Sequence, residues 1–251
     1  LYSNSFAFVA ETAEGRLLAW GSPERGGNLH GADQAVAPKD ICSGASAFAA
    51  LLQDGSVASW GDPAFGGDSS SVQQKLRNVK KIQSSLRSLA FAAIKEDGSV
   101  VTWGHPDMGG SSEEVKEQLV DVEQITVYAF AWAALRRDGR LVTWGDPQKG
   151  GDSSAVQDQL RDVDQVCANA YAFAALRNDG SVVTWGQANR GGDSSYVQDK
   201  LTNVEEIFAT SGAFAALRAD GSLVTWGDPG RGGDGPARLD DLDIELGELS
   251  R

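Results

Sequence analysis

The sequence predicts a mainly β fold, a six-bladed repeat β-propeller with a short helix inserted in most repeats. Three observations carry that prediction. A Trp-Gly pair recurs six times, at Trp20, Trp60, Trp103, Trp144, Trp185 and Trp226, with spacings of 40, 43, 41, 41 and 41 residues. Twelve residues before each of these stands a large aromatic: Phe8, Phe48, Phe91, Trp132, Phe173 and Phe214. An acid–Gly pair lies six residues before each Trp, from Glu14-Gly15 to Asp220-Gly221, and a Gly-Gly pair six residues after it. Offsets fixed across six copies mark one supersecondary unit that recurs and stacks.

Each element of the copy has its own signal. Between Ala172 and Gly186 two runs of β-forming residues flank Asp179-Gly180. Asp-Gly in that setting predicts a hairpin with a type I′ turn, because both central residues must take positive φ. Folding about that pair sets Leu176 against Val183 and Ala174 against Trp185, with Ala175 and Thr184 on the other face. One face is bulky and the other small, which suits radially stacked sheets. After Gly-Gly the texture changes to Asp152-Ser153-Ser154 followed by Val156, Leu160 and Val163. Asp or Ser caps a helix start, and i, i+4, i+7 apolar spacing is one helical face.

Copies two, four and five keep this helix pattern, as in Asp68 with Val72, Leu76 and Val79, and copy three keeps Val115, Leu119 and Val122 behind Ser111. Pro38 interrupts the first copy, and the sixth runs Asp234-Gly235-Pro236 instead. A short β segment follows each helix, for example Val163 to Ala168. One such unit cannot bury both faces, so the copies stack, and a ring removes the exposed edges of an open stack. The expected domain is therefore 1–251, a single propeller of six repeats. Leu1 aligns with Val166, so the chain starts within a repeat. The acidic tail 239–251, through Leu239 to Leu246, is expected to supply the strand missing from the first blade.

Composition narrows the function classes. Of 251 residues, 41% are hydrophobic and 23% charged, and the thirty glycines fall periodically. Apolar stretches such as Ala129 to Leu135 are too short to span a bilayer as a helix. A net charge of −13, with 35 acids against 22 bases, argues against nucleic acid, which needs clustered Lys and Arg. No signal peptide is visible, and a first residue of Leu1 fits a removed leader or a piece of a longer chain. Cys42 and Cys167 are the only cysteines. They occupy matching repeat positions, on opposite sides of a six-membered ring, so two free, small, buried thiols are expected. With only His30 and His105 besides, no zinc cluster can form.

The string DGSVVTWG (179–186), preceded by AFAALRN (172–178), resembles the repeat of the regulator of chromosome condensation family. The resemblance covers essentially the whole chain. It implies a propeller in which each sequence repeat is shared between neighbouring blades. Members of that family act as a nucleotide exchange factor, as modules of HECT ubiquitin ligases and as a bacterial β-lactamase inhibitor. This chain departs from the family pattern in having aromatic-Ala where His-Ser is usual, Asp-Pro after Trp-Gly, and six copies where seven are usual. No inserted wedge and no basic tail is visible, so the fold carries over better than the activities. The Gly-Gly-Asp-Ser-Ser form of the repeat looks like an expanded algal type, which implies an accessory subunit of a plastid photosynthetic membrane complex as one alternative.

Sharper chemistry has weak support. Asp62/Asp68, Asp146/Asp152 and Asp228/Asp234 offer oxygen ligands for calcium, yet Asp before Pro makes a turn and the second Asp caps a helix. Ser22, His105 and Gln187 break the pair in the other copies. Gly-Gly before a helix start suits phosphate, but an Asp at the cap repels an anion. Every acid, Ser and Trp of the motif recurs, whereas catalysis needs unique positions. His30 and His105 read as surface histidines. No catalytic, cofactor or metal residue is expected, and the chain is expected not to be an enzyme.

The informative residues are those at which the copies disagree. Five residues after each Trp stand Arg25, Phe65, Met108, Lys149, Arg190 and Arg231. On one rim of a ring these form a basic arc from copies four, five, six and one, beside an apolar arc from copies two and three. Random variation at a solvated loop tip is one reading. A partner-docking surface is the other, since an apolar patch beside charge is typical of interfaces. Tyr196 and the insertion at Leu86-Arg87-Ser88 are secondary candidates. The expected function is a protein-interaction scaffold or peripheral subunit of a larger assembly, with other protein subunits as partners. A regulatory propeller of the exchange-factor or ubiquitin-ligase recognition type is the rival. The sequence leaves the location open, with soluble, peripheral to a membrane complex, and a plastid after removal of a leader as the alternatives.

Overall fold

Each repeat is organised by a tight hairpin whose glycine alone takes positive φ. The computed structural model describes residues 1–29, 32 and 37–237. At Asp179-Gly180 the Gly180 N–H donates to the Arg177 carbonyl and Arg177 N–H to the Ser181 carbonyl, both at 2.9 Å. Gly180 has φ +77°, while Asp179 is not among the residues with positive φ. The loop is therefore three residues long and ends in a left-handed glycine. That corrects the two-residue turn expected from the sequence, and it moves the register by one. Leu176 faces Val182, Ala175 faces Val183, Ala174 faces Thr184 and Phe173 faces Trp185.

The corrected register brings each aromatic opposite its own Trp. In all six hairpins the two rings stack, from 5.2 Å between centroids for Phe173 and Trp185 to 5.7 Å for Trp132 and Trp144. A third strand joins the hairpin from the amino-terminal side. Blade 1 comprises β1 (Tyr2–Ser3), β2 (Ala7–Glu11) and β3 (Leu17–Gly21). Blade 2 comprises β4 (Asp40–Ser43), β5 (Ala47–Leu51) and β6 (Val57–Gly61). Blade 3 comprises β7 (Val79–Gln83), β8 (Ala90–Lys95) and β9 (Val100–Gly104). Blade 4 comprises β10 (Val122–Val127), β11 (Ala131–Arg136) and β12 (Leu141–Gly145). Blade 5 comprises β13 (Val163–Ala168), β14 (Ala172–Arg177) and β15 (Val182–Gly186). Blade 6 comprises β16 (Val204–Ala209), β17 (Ala213–Arg218) and β18 (Leu223–Gly227). All six sheets are three-stranded and antiparallel.

The connectors after Gly-Gly are helical, but they wind as 3-10 turns at Ser70–Val72, Glu113–Gln118, Ser154–Gln159 and Ser195–Lys200. A short segment tied at both ends cannot complete α-helical turns, and the tighter winding suits it. Asp68, Asp152 and Asp193 open these turns by accepting the backbone N–H two residues on, at 2.8, 2.8 and 2.9 Å. Those bonds hold all three carboxyls below the usual carboxylate range. The serine that follows each aspartate anchors the connector to its blade: Ser69 to Ser59, Ser153 to Thr143 and Ser194 to Thr184.

Packing follows the two unlike faces. Within residues 1–154, the small face of blade 2 (Ala47, Ala49, Leu51, Val57) packs on the aromatic face of blade 3 (Phe91, Ala93, Val101, Trp103), with Leu76 from the connector and Val79 from β7. Blades 3 and 4 repeat this arrangement, and so do blades 1 and 2. Within residues 155–251, blades 5 and 6 do the same. These are two compact units, Leu1–Ser154 with blades 1 to 4 and Ala155–Arg251 with blades 5 and 6. At four of these junctions an indole N–H crosses to a glycine carbonyl of the preceding repeat: Trp60 to Gly26, Trp103 to Gly66, Trp144 to Gly109 and Trp226 to Gly191, at 3.0–3.2 Å. The acceptor turn needs glycine. At Gly66, φ is +95° and a Cβ would lie 2.5 Å from the Phe91 ring.

Cys42 on β4 and Cys167 on β13 are free thiols, each half-buried rather than fully buried. Burial, with the Asp40 charge second, pushes Cys42 up to about 12, and burial raises Cys167. The expected closing strand at 239–246, the whole tail 239–251 and His30 lie outside the described residues.

Candidate interaction surface

The six variable positions are structurally equivalent. Each is the last residue of a single 3-10 turn that leaves the third strand: Pro23–Arg25, Pro63–Phe65, Pro106–Met108, Pro147–Lys149, Ala188–Arg190 and Pro229–Arg231. Proline presets φ at the start of five of the turns, and a left-handed glycine ends all six. Asp62, Asp146 and Asp228 cap three of them, each accepting the backbone N–H two residues on at 3.0 Å. These aspartates therefore hold turns, and no group of three or more His, Cys, Asp or Glu suited to a metal occurs among the described residues. A second clamp comes from the strand edge. Asn4, Asn169 and Thr210 donate to the carbonyls of Arg25, Arg190 and Arg231, all at 2.8 Å.

Three of the four basic members rest on aromatic rings. Arg25 lies 4.0 Å above Phe6, Lys149 4.2 Å above Phe130 and Arg190 5.3 Å above Tyr171. Each ring stands nineteen residues before its cation, an offset that the sequence displays and that sequence reasoning missed. Cation–π contact restrains the long side chain while leaving its charge at the surface. In the carboxy-terminal unit, Arg190 and Arg231 both pair with Asp228, Arg231 at 3.1 Å. The expected basic charge is thus partly answered within the fold. Lys149 likewise pairs with Asp146 at 3.7 Å.

The apolar members sit in the amino-terminal unit. Phe65 stacks on His105 at 6.3 Å, and Met108 N–H donates to the His105 carbonyl at 3.1 Å. Phe65 therefore lies against the turn that ends in Met108, and His105 is half-buried between them rather than a free surface residue. Phe65 and Met108 are half-buried, Arg25 and Arg231 exposed. Tyr196 lies on the Ser195–Lys200 connector, 62% exposed, with its hydroxyl accepting the Gly227 N–H at 3.0 Å just before the cap of the Pro229–Arg231 turn. Leu86, in the insertion, is 55% exposed.

No family model and no curated protein sequence matches the chain. Among solved structures, human WBSCR16 matches at TM-score 0.51 and 17% identity, over 92% of this chain and 76% of that one. Yeast RCC1 (Prp20), crystallised with Kap60, matches at TM-score 0.50 and 17% identity, over 89% of this chain and 68% of that one. The chain has the fold of an RCC1-like β-propeller. At such identities the likeness extends to the fold and stops there. No helix among the described residues is long and apolar enough to cross a membrane.

Proposed function

We propose that this chain is a non-catalytic protein-interaction module that docks a partner protein through the turns ending each third strand. One observation carries the reading: the turns have a common backbone held by caps and clamps, while their last residue varies from Arg or Lys to Phe or Met. A pre-organised backbone with varied tips costs little ordering entropy on binding, and its asymmetry lets one partner choose an orientation. Aromatic residues, Met and Arg are the types enriched at interfaces. The yeast RCC1 structure includes the protein Kap60, which supports a protein as the class of ligand for this fold. That likeness also keeps a regulatory propeller of the exchange-factor type as the second reading.

The test uses two double variants. Phe65→Ser with Met108→Ser removes apolar tips at little cost to the fold. Arg190→Gln with Arg231→Gln removes charge without setting further carboxylates beside Asp228. A partner recovered by pull-down with the parent chain is then measured against both variants by binding kinetics. The apolar pair should lose at least tenfold in affinity through faster dissociation, the worth of about 1.4 kcal/mol. The arginine pair should mainly slow association and flatten its salt dependence. Parent-like kinetics for both would move the docking surface elsewhere, with Tyr196 next in line.

A further inference from the structure

The charge of this chain is unevenly spread. Between Asp68 and Glu96 stand six bases and no acid, in a chain whose net charge is −13. Four of the six fall together: Lys75 and Arg77 on the connector after the Ser70–Val72 turn, and Lys80 and Lys81 on β7. All four are exposed. The register shift that opens β7 at Val79/Lys81 recurs in β10, β13 and β16. Lys80 and Lys81 therefore stand where those strands have Glu123-Gln124, Asp164-Gln165 and Glu205-Glu206.

The backbone fixes where these bases sit. Lys75 N–H donates to the Val72 carbonyl at 2.8 Å, and Arg77 N–H to the Lys75 carbonyl at 2.9 Å. Val79 N–H then donates to the Gly55 carbonyl and Glu96 N–H to the Asn78 carbonyl, at 2.9 and 2.8 Å. The strip thus enters β7 between the hairpin tips of blades 2 and 3. The aspartates of those tips are already engaged. Asp54 accepts from the Ser56 hydroxyl and N–H, and Asp97 from those of Ser99 and from Lys95. Ser56 holds Asp54 below the usual carboxylate range, and Arg77 adds least to that shift. Eight other bases pair with a carboxylate, whereas none of these four does among the described residues. Like charges set side by side repel one another, so the strip contributes nothing to holding the fold.

We propose that the Lys75–Lys81 strip docks an extended acidic segment of a partner protein, whose carboxylates meet the four cations. Charge complementarity and a backbone already ordered before binding support that occupant. A short acidic segment fits better than nucleic acid. Asp54 and Asp97 border the strip, with Asp40 on the adjacent β4, and they repel a long polyanion. The surface is separate from the variable turns: the blade 2 tip opens β6 and the Pro63–Phe65 turn closes it, so the two lie at opposite ends of that strand.

The probe is a fluorescein-labelled peptide of glutamates, titrated with the chain at low salt and read by anisotropy. The parent should bind it, and binding should weaken steadily as salt is added. Lys80→Glu with Lys81→Glu matches the pair that blade 6 carries at these positions, so the fold is kept, and affinity should fall by at least about tenfold. Lys75→Gln with Arg77→Gln should lose a similar factor. Arg161→Gln with Lys200→Gln, the isolated bases at the equivalent connector positions of later copies, should bind like the parent. Phe65→Ser with Met108→Ser should also bind like the parent, which separates this surface from the variable turns. A parent that does not bind the peptide overturns the inference. So does an equal loss in the Arg161 and Lys200 control. Tighter binding of a thymidylate oligomer of the same length through the same lysines would overturn it too, by making the strip a nucleic-acid surface.

Discussion

Blades 1 and 3 contain the same hairpin, and in one the aromatic pair is open while in the other it is sealed. Register and ring geometry agree closely, Phe8 facing Trp20 and Phe91 facing Trp103. The stacking is therefore a product of the hairpin alone. Burial is a product of the neighbour: blade 2 covers Phe91 with Ala47, Ala49 and Leu51. Stability in such a chain resides at the junctions more than within the repeats, as expected for nearest-neighbour architectures.

The largest test of that contrast truncates the ring that faces its Trp. Phe91→Ala should destabilise by about 3–5 kcal/mol through a cavity at a closed junction. Phe8→Ala in dilute protein should cost less than about 1 kcal/mol, as for surface positions generally. Chemical denaturation of both variants measures the difference, and equal losses would mean that Phe8 is covered in solution. A smaller effect isolates the indole bond. Trp103→Phe leaves the Gly66 carbonyl without its donor and should cost about 1–3 kcal/mol. The same change at Trp20 should be nearly neutral to stability in dilute solution.

The smallest effect is acid sensitivity at the hairpin tips. In blade 3, the Ser99 hydroxyl and then its backbone N–H hold Asp97 at about 2, with Lys95 adding to the shift. A depressed carboxyl stabilises the fold fully above its unfolded value of about 3.9 and stops doing so as the pH falls toward about 2. Ser99→Ala should raise the Asp97 pKa toward the ordinary value and move the acid loss of this contribution to higher pH. Carboxyl-carbon NMR titration reads the shift directly. The blade 1 tip, Glu14-Gly15-Arg16, has Thr12 accepting the Arg16 N–H at 3.2 Å instead, so it offers no such aspartate to titrate.

Much of this architecture was legible because the repeat fixes offsets. Six Trp-Gly pairs with an aromatic twelve residues upstream revealed the blades, and their bulky and small faces revealed the stacking. The register was misread by one because Asp-Gly serves both two- and three-residue loops, and the chemistry of the pair does not distinguish them. The connector was read as a short helix from Val72, Leu76 and Val79. Val72 N–H in fact bonds the Ser69 carbonyl at 3.0 Å and Lys75 N–H the Val72 carbonyl at 2.8 Å, each three residues back, so the apolar spacing hides a tighter winding. The variable turns were visible as loop positions. Their support was not, because the link of Asp228 to Arg190 joins neighbouring blades, and only packing brings those turns together. The reversal into the first strand of blades 3 to 6 was also missed: Asn78, Asp121, Asp162 and Asn203 all sit at φ between +51° and +54°. Asn and Asp tolerate that region, so the signal was present in residue type.

The indole-to-glycine bond has a consequence for the order of synthesis. Its acceptor is made first, and its donor follows 37 residues later for Gly66 and Trp103, and 35 later for Gly191 and Trp226. At translation rates of about 5–20 residues per second, each acceptor turn waits roughly 2–7 s for its donor. Throughout that interval the newest blade presents an uncovered alanine-rich surface beside the ribosome. A neighbouring nascent chain on the same message carries the matching tryptophan in every repeat. Polysomes would thus be the setting in which mispairing between chains competes with correct stacking, and slower decoding just after each Gly-Gly would lengthen the exposure.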